Sequence, residues 1–170
     1  FQDLGTGAAL VNVIATSGDP AADPEVSVTL TSVGRVMLIS AGVTMLANSA
    51  LMLTGGWEWL LGEAGQLPNA ALAAFTCLAI WAIAIPLGIW QRVLLGLRRN
   101  HVTILIQGLM APLNFALVWL LLQAGPQARS FLSLASYLAA FGVAVIGMTA
   151  ALRFLPQPIT QGYSRLLSRS

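Results

Sequence analysis

The sequence has no lysine, a single cysteine and a single histidine, and charged residues make up only 8% of its 170 residues. Soluble domains average about 25% charged residues, so this composition excludes a water-soluble globular domain. The one cysteine, Cys77, cannot form an internal disulfide, and with His101 as the one histidine no Cys/His metal site can be built. We therefore expect neither a metal site nor a cofactor.

Apolar residues are abundant instead, at 57% of the chain, and the mean hydropathy is +0.81. A membrane-spanning helix needs about 20 apolar residues, and the apolar runs fit this length. We predict an all-α fold, a polytopic transmembrane helix bundle that forms a single domain over residues 1–170. The full spans are placed at about 33–54, 70–90, 102–122 and 131–152. Residues 1–15 come first, as a truncated N-terminal helix or else a reentrant or interfacial segment, and a loop over 17–28 follows. Thr29 or Thr31 is expected to cap the first full span.

Acidic and basic residues are segregated along the chain. All the acids lie within the first 63 residues, and every arginine except Arg35 lies beyond them. In a membrane protein this pattern indicates topology rather than nucleic-acid binding. The positive-inside rule places the arginine-rich turn at 91–101 and the basic tail at 153–170 in the cytoplasm, and the loop at 55–69, which carries tryptophans and acids, outside. The chain is thus expected to be a multi-pass protein of the cytoplasmic membrane, in contact with membrane lipid.

Polar residues recur on single helix faces within the predicted spans. Ser40, Thr44 and Asn48 are spaced four residues apart, which places them on one face. They either form hydrogen bonds between helices or line a central cavity, because polar groups in lipid face protein or water. Gln107 and Asn114 share a face of the third span, which is either a cavity wall or a packing surface.

Three further features have two interpretations each. Arg92, at the end of the second span, either serves orientation alone or contacts an anionic ligand such as a phosphate. Pro86 with Gly88 predicts a kink in the second span, and Pro112 predicts a hinge or cavity wall in the third. Small residues at Ser136, Ala140 and Ala144 form a ridge that permits close helix packing.

No catalytic residues are expected. The acids lie toward the opposite end of the chain from His101, so the sequence offers no acid–base pair, and we do not expect an enzyme.

Two stretches resemble a known family. Asp3 to Ala15, followed by a polar loop and a long span, is similar to the second and third helices of bacterial polysaccharide flippases, in the multidrug/oligosaccharidyl-lipid/polysaccharide exporter superfamily. Gln91 to Arg99 resembles the basic turn after the fourth helix of these proteins. The resemblance makes this chain part of an N-terminal six-helix lobe that lacks its C-terminal partner lobe.

The resemblance implies a transporter that flips a polyprenyl-pyrophosphate-linked oligosaccharide by alternating access. Arg92 and the face formed by Gln107 and Asn114 would then line the substrate cavity. Two alternatives remain: a small structural or assembly membrane protein or permease subunit, and a lobe of a multidrug or ion antiporter. The predicted spans contain no acidic residue, which argues against an ion-coupling site in this lobe.

Overall fold

Helices account for the regular structure throughout the part of the chain that the computed structural model describes, residues 6–125, 128 and 131–155. The α-helices are α1 (Thr6–Thr16), α2 (Pro24–Leu53), α3 (Gly56–Leu61), α4 (Ala70–Leu87), α5 (Ile89–Gly96), α6 (Asn100–Gly108), α7 (Met110–Gln123) and α8 (Leu134–Phe154), with a short 3₁₀ helix at Gly62–Gln66. The predicted all-α class is confirmed. The first five residues, Arg129 and most of the predicted basic tail lie outside the described residues.

Helix α2 begins at Pro24, well before the predicted start near residue 33. Asp23 caps it, because its extended backbone lets a carboxylate oxygen accept the backbone N–H of Glu25 at 2.9 Å. Pro24 fits the first helical position, where its missing N–H would have no partner in any case. The predicted loop through Val28 and the predicted cap at Thr29 or Thr31 were therefore wrong. Proline and acidic residues are common in loops, but they also favour the first helical turn.

The predicted polar turn at 91–101 is much shorter, because α5 continues to Gly96 and α6 begins at Asn100. Two backbone hydrogen bonds terminate α5. The Arg98 N–H donates to the Leu95 carbonyl, and the Arg99 N–H donates to the Leu94 carbonyl. Arg98 has a φ of 55°, and this left-handed residue with its paired hydrogen bonds forms a Schellman motif. Arg92 consequently lies on a helix rather than in a loop.

The long helices pack in a row, in the spatial order α2, α4, α8, α7, which differs from their order in the chain. Helix α1 packs against both α2 and α5, beside this row. The turn at 97–99 meets the end of α8, where the Arg99 guanidinium lies 4.5 Å from the centre of the Phe154 ring. We call this the arginine end of the bundle, and the opposite end, with α3 and its Trp57 and Trp59, the tryptophan end.

Packing differs between the two ends. Near the arginine end the buried side chains are large, and they include Leu10, Ile14, Leu30, Trp90 and Leu94. Toward the tryptophan end the buried positions on α4 and α8 are mostly small, and they include Ala73, Cys77, Ala135 and Ala139.

Single polar contacts join neighbouring helices toward the tryptophan end. The Ser136 hydroxyl donates to Asn114 Oδ1 at 3.2 Å and so connects α8 with α7. Cys77 Sγ on α4 lies 3.5 Å from the hydroxyl of Ser133, just before α8. Small residues and isolated hydrogen bonds are typical of helix packing in membranes.

Among the described residues, the segments long and apolar enough to cross a membrane are Pro24–Leu53, Ala70–Gly96, Asn100–Gln123 and Leu134–Phe154. The shorter apolar helix α1 precedes them. This arrangement is that of a multi-pass membrane protein.

Candidate functional site

A groove of about 440 Å³ lies between the second and third membrane-spanning segments, with α8 beneath it. Ala140, Val143 and Ala144 of α8 contribute to its lining. These small side chains leave space between the flanking helices. Residues from both flanking segments complete the lining: Trp81, Ala84, Ile85, Gly88, Trp90, Gln91, Gln107 and Met110.

Both flanking segments are interrupted where they border the groove. The second segment breaks at Gly88, two residues after Pro86, as the sequence predicted. Proline has no N–H to donate and its ring clashes with the carbonyl four residues earlier, which kinks or interrupts a helix. The Gly88 N–H then bonds both to Ala84 at 3.2 Å and to Ile85 at 3.0 Å, which tightens the last turn of α4.

The third segment breaks at Leu109, three residues before Pro112. The Leu109 N–H bonds to Ile106, and Pro112 therefore falls in the first turn of α7. A proline is tolerated there because the first N–H groups of a helix have no partner within it. The sequence predicted a hinge or a cavity wall at Pro112, and the break in the helix lies one turn earlier, where the proline ring would clash with the carbonyl of Gly108.

The groove combines an apolar lining with polar groups that carry no net charge. Among the described residues that line it, Gln91 and Gln107 supply exposed amides, and Trp81 is partly exposed. Trp90 is only 1% exposed and packs against Gly147, where an added Cβ would overlap its indole ring. Such a lining can hold an apolar chain and can form hydrogen bonds with uncharged polar groups.

Of the predicted site residues, Gln107 lies in this groove. Asn114 lies further along α7 and accepts the hydrogen bond from Ser136. Arg92 lies on α5, one residue beyond Gln91, and is partly buried. Of these three residues, only Gln107 contributes to the lining of the groove.

Asn48 is fully buried and lies between helices. Its amide N–H₂ donates to the Phe75 carbonyl of α4 at 2.9 Å, and its oxygen accepts the Trp57 indole N–H at 3.1 Å. Thr44 donates within its own helix, to the carbonyl of Ser40. The face of Ser40, Thr44 and Asn48 was predicted either to form hydrogen bonds between helices or to line a cavity. The contacts of Asn48 are hydrogen bonds between helices.

Sequence reasoning missed Gln91, Trp81 and Trp90 as groove residues. The predicted second span ends at about residue 90, so Gln91 falls in the predicted polar turn at 91–101. One signal was available: Trp90 and Gln91 follow a Pro–x–Gly break within an otherwise apolar run, and backbone breaks at membrane depth border protein or a cavity.

No metal site is formed among the described residues, since no three His, Cys, Asp or Glu side chains come together there. Comparisons with protein-family models, curated proteins and solved structures found no match to this chain.

Proposed function

We propose that this chain is part of a membrane transporter that flips a polyprenyl-linked oligosaccharide across the bacterial cytoplasmic membrane. It would act with a second helical lobe to enclose the substrate, as the resemblance implies. The observation that carries the proposal is the groove between the two proline-broken segments.

The lining of the groove suits an amphipathic ligand. Ala84, Ile85 and Met110 offer apolar contacts to a polyprenyl chain. The amides of Gln91 and Gln107 can donate to and accept from sugar hydroxyls. The partly exposed Trp81 indole adds an apolar ring face with one polar N–H.

The broken helices favour transport over a purely structural role. Discontinuous helices at the substrate site are a recurring feature of secondary transporters, because the break exposes backbone groups and allows one half of a helix to move. Here both walls of a single groove are broken, at Gly88 and at Leu109. A protein that only held partners together would gain nothing from two such interruptions, each of which weakens a helix.

The first experiment measures ligand binding by the chain in lipid nanodiscs. The probe is a polyprenyl-pyrophosphate oligosaccharide, compared with the same polyprenyl pyrophosphate without sugars. We expect the glycosylated lipid to bind more tightly. Gln107→Leu should weaken its binding about tenfold, the cost of a lost hydrogen bond in a desolvated site.

Gln123→Leu is the matched control, because Gln123 is an exposed amide at the far end of the same segment. It should leave the affinity unchanged. Equal binding of the two lipids by the unaltered chain, or equal effects of the two glutamine substitutions, would overturn the proposal.

A further inference from the structure

A stripe of exposed apolar side chains follows one face of α2 to the end of that helix. Ile39, Leu46 and Leu53 recur every seventh residue, which places them on one face, and they are 66%, 72% and 87% exposed. A continuous exposed apolar surface on a membrane-spanning helix is the surface that faces lipid. Because Leu53 is the last residue of α2, contact with lipid extends to the tryptophan end of the helix.

The segment that follows α2 folds into a compact unit. Helix α3 begins three residues after α2 ends, and the 3₁₀ helix after α3 packs back onto it. At Gly65 an added Cβ would lie only 2.6 Å from the carbonyl oxygen of Glu58, so the two short helices are in close contact. Gly62, with a φ of 56°, makes the turn between them. We call residues 55–67 the α3 unit.

Trp57 attaches the α3 unit to the bundle. Its indole N–H donates to Asn48 Oδ1 at 3.1 Å, and the amide of Asn48 donates to the Phe75 carbonyl at 2.9 Å. These two hydrogen bonds connect α3 with α2 and α4. Asn48 is fully buried, so its oxygen would be left without this partner if Trp57 moved away. The position of the α3 unit relative to α2 is therefore fixed.

Trp59 lies on a different side of α3 from Trp57. Consecutive helical residues are about 100° apart around the axis, so the two tryptophans are about 160° apart. Trp59 is 82% exposed, and Leu60 beside it is 52% exposed. Glu58 lies about 150° from the direction midway between Trp59 and Leu60. Helix α3 therefore has an exposed apolar side and an acidic side, with the attachment to the bundle between them.

This combination of side chains suits the head-group layer of a bilayer. Leu67, 65% exposed, adds to the apolar surface of Trp59 and Leu60, which is unfavourable in water. Glu58 and Glu63 are exposed as well, and their carboxylates are costly in hydrocarbon. Tryptophan concentrates at this layer because its ring is apolar and its N–H is polar. Only the boundary between lipid and water satisfies both sets of side chains.

We propose that the α3 unit lies in the head-group layer beside the end of α2 and inserts Trp59, Leu60 and Leu67 into the lipid, with its two glutamates in water. Residues 36–91 contain no lysine or arginine, so apolar contact drives the insertion and no anionic lipid is required. Because Trp57 ties the unit to the bundle, the inserted side chains set the depth of the bundle in the membrane. This inference does not depend on the proposed transport function.

Spin labels on the α3 unit test its placement. The chain is reconstituted in phosphatidylcholine bilayers, and electron paramagnetic resonance measures how often each label collides with oxygen, which concentrates in hydrocarbon, and with a water-soluble nickel chelate. Each label is attached to one new cysteine in a Cys77→Ala background. The substitutions at the apolar positions are Trp59→Cys, Leu60→Cys and Leu67→Cys, and the matched controls on the same unit are Glu58→Cys and Glu63→Cys.

We expect the ratio of oxygen to nickel collisions to be several-fold higher at the three apolar positions than at the two glutamate positions. Adding anionic phosphatidylglycerol to the bilayer should leave this difference unchanged. Equal ratios at all five positions would place the unit wholly in water or wholly in lipid and would overturn the proposal. A difference that appears only with anionic lipid would contradict insertion through apolar contact.

A second measurement tests the attachment through Trp57. Trp57→Phe keeps an aromatic ring but removes the N–H that Asn48 accepts, so the unit should lose its fixed position. We expect the difference between labels at 60 and 58 to fall at least by half. Trp119→Phe, at an exposed tryptophan of α7, is the matched control and should leave that difference intact. An unchanged difference in Trp57→Phe would overturn the role of Trp57 in setting the depth.

Discussion

Gly147 shows how one missing side chain determines the packing between α5 and α8. A Cβ at this position would overlap the six-membered ring of Trp90, which is almost fully buried. The indole therefore occupies the space that any other residue at 147 would fill. Since Trp90 also lines the groove, the shape of the site depends on this glycine.

Replacing this glycine should be costly. We expect Gly147→Ala to lower the free energy of unfolding by about 1–3 kcal/mol, because the indole must leave its position. Denaturant titration in detergent micelles, followed by tryptophan fluorescence, measures the effect.

Gly142→Ala is the control on the same helix. A Cβ there meets only Leu113, at 4.0 Å, so this substitution should be neutral or slightly stabilising. Equal losses from the two substitutions would contradict this account, because alanine favours a helix over glycine at both positions and only Gly147 contacts Trp90.

Asp23 makes the start of α2 sensitive to pH. The Ser17 hydroxyl and the backbone N–H of Glu25 hold the pKa of the Asp23 carboxyl below its usual value. A lowered pKa in the folded state means that the carboxylate stabilises the fold above its ordinary pKa. This contribution is lost as the pH falls through the folded-state value.

We therefore expect Asp23→Ala to lower the melting temperature at pH 7, and the difference from the unaltered chain to shrink as the pH falls below 3.8, the ordinary pKa of an aspartate. Asp23→Asn should keep most of the cap at both pH values, because an amide oxygen also accepts the Glu25 N–H. A constant Asp23→Ala deficit across this range would show that ionisation of Asp23 has no part in stability. Thermal unfolding followed by circular dichroism provides the measurement.

At the scale of elements, each of the two segments that flank the groove has a helix break with a proline close to it. Helix α4 ends at Leu87, just after Pro86, and α6 ends at Gly108, before Pro112, so both walls are interrupted beside the groove. Continuous helices in their place would pack along α8 for their full length. The volume of the groove therefore depends on both breaks.

Replacing the first proline tests this dependence. Pro86→Ala restores a backbone N–H, so α4 and α5 should join into one helix, with the groove narrowing and ligand affinity falling several-fold. Spin labels at Trp119 and at Leu95 report the change as a shift in their distance distribution. Pro68→Ala, in the exposed loop before α4, should shift neither the distances nor the affinity. An unaltered distance distribution in Pro86→Ala would show that Gly88 alone sets the bend.

The elements also show which features of the fold can be predicted from the sequence and which cannot. The helical class and the helix break after Pro86 follow from the length of the apolar runs and from proline chemistry, both of which are local. The start of α2 was missed because Asp23 and Pro24 suit a loop and a first turn equally well. The partner of Asn48 could not be found, because it is the backbone carbonyl of Phe75, which no side-chain pattern reveals.

At the scale of the whole molecule, the groove is a product of spatial order. It exists because α8 lies between two segments that precede it in the chain, with small residues at the contact. Gln107 was predicted because a polar residue within an apolar run is conspicuous. Gln91 and Trp90 were not, because their roles depend on which helix lies opposite.

This spatial order has a consequence for how the bundle is assembled. A chain is synthesised from its N-terminal end, so α2, α4 and α7 enter the membrane before α8 is made. Yet α8 is the helix that packs against both α4 and α7, and no residue of α7 is fully buried. During synthesis, the earlier helices must therefore wait in the membrane with lipid between α4 and α7. The bundle closes only when the last of the described helices displaces that lipid.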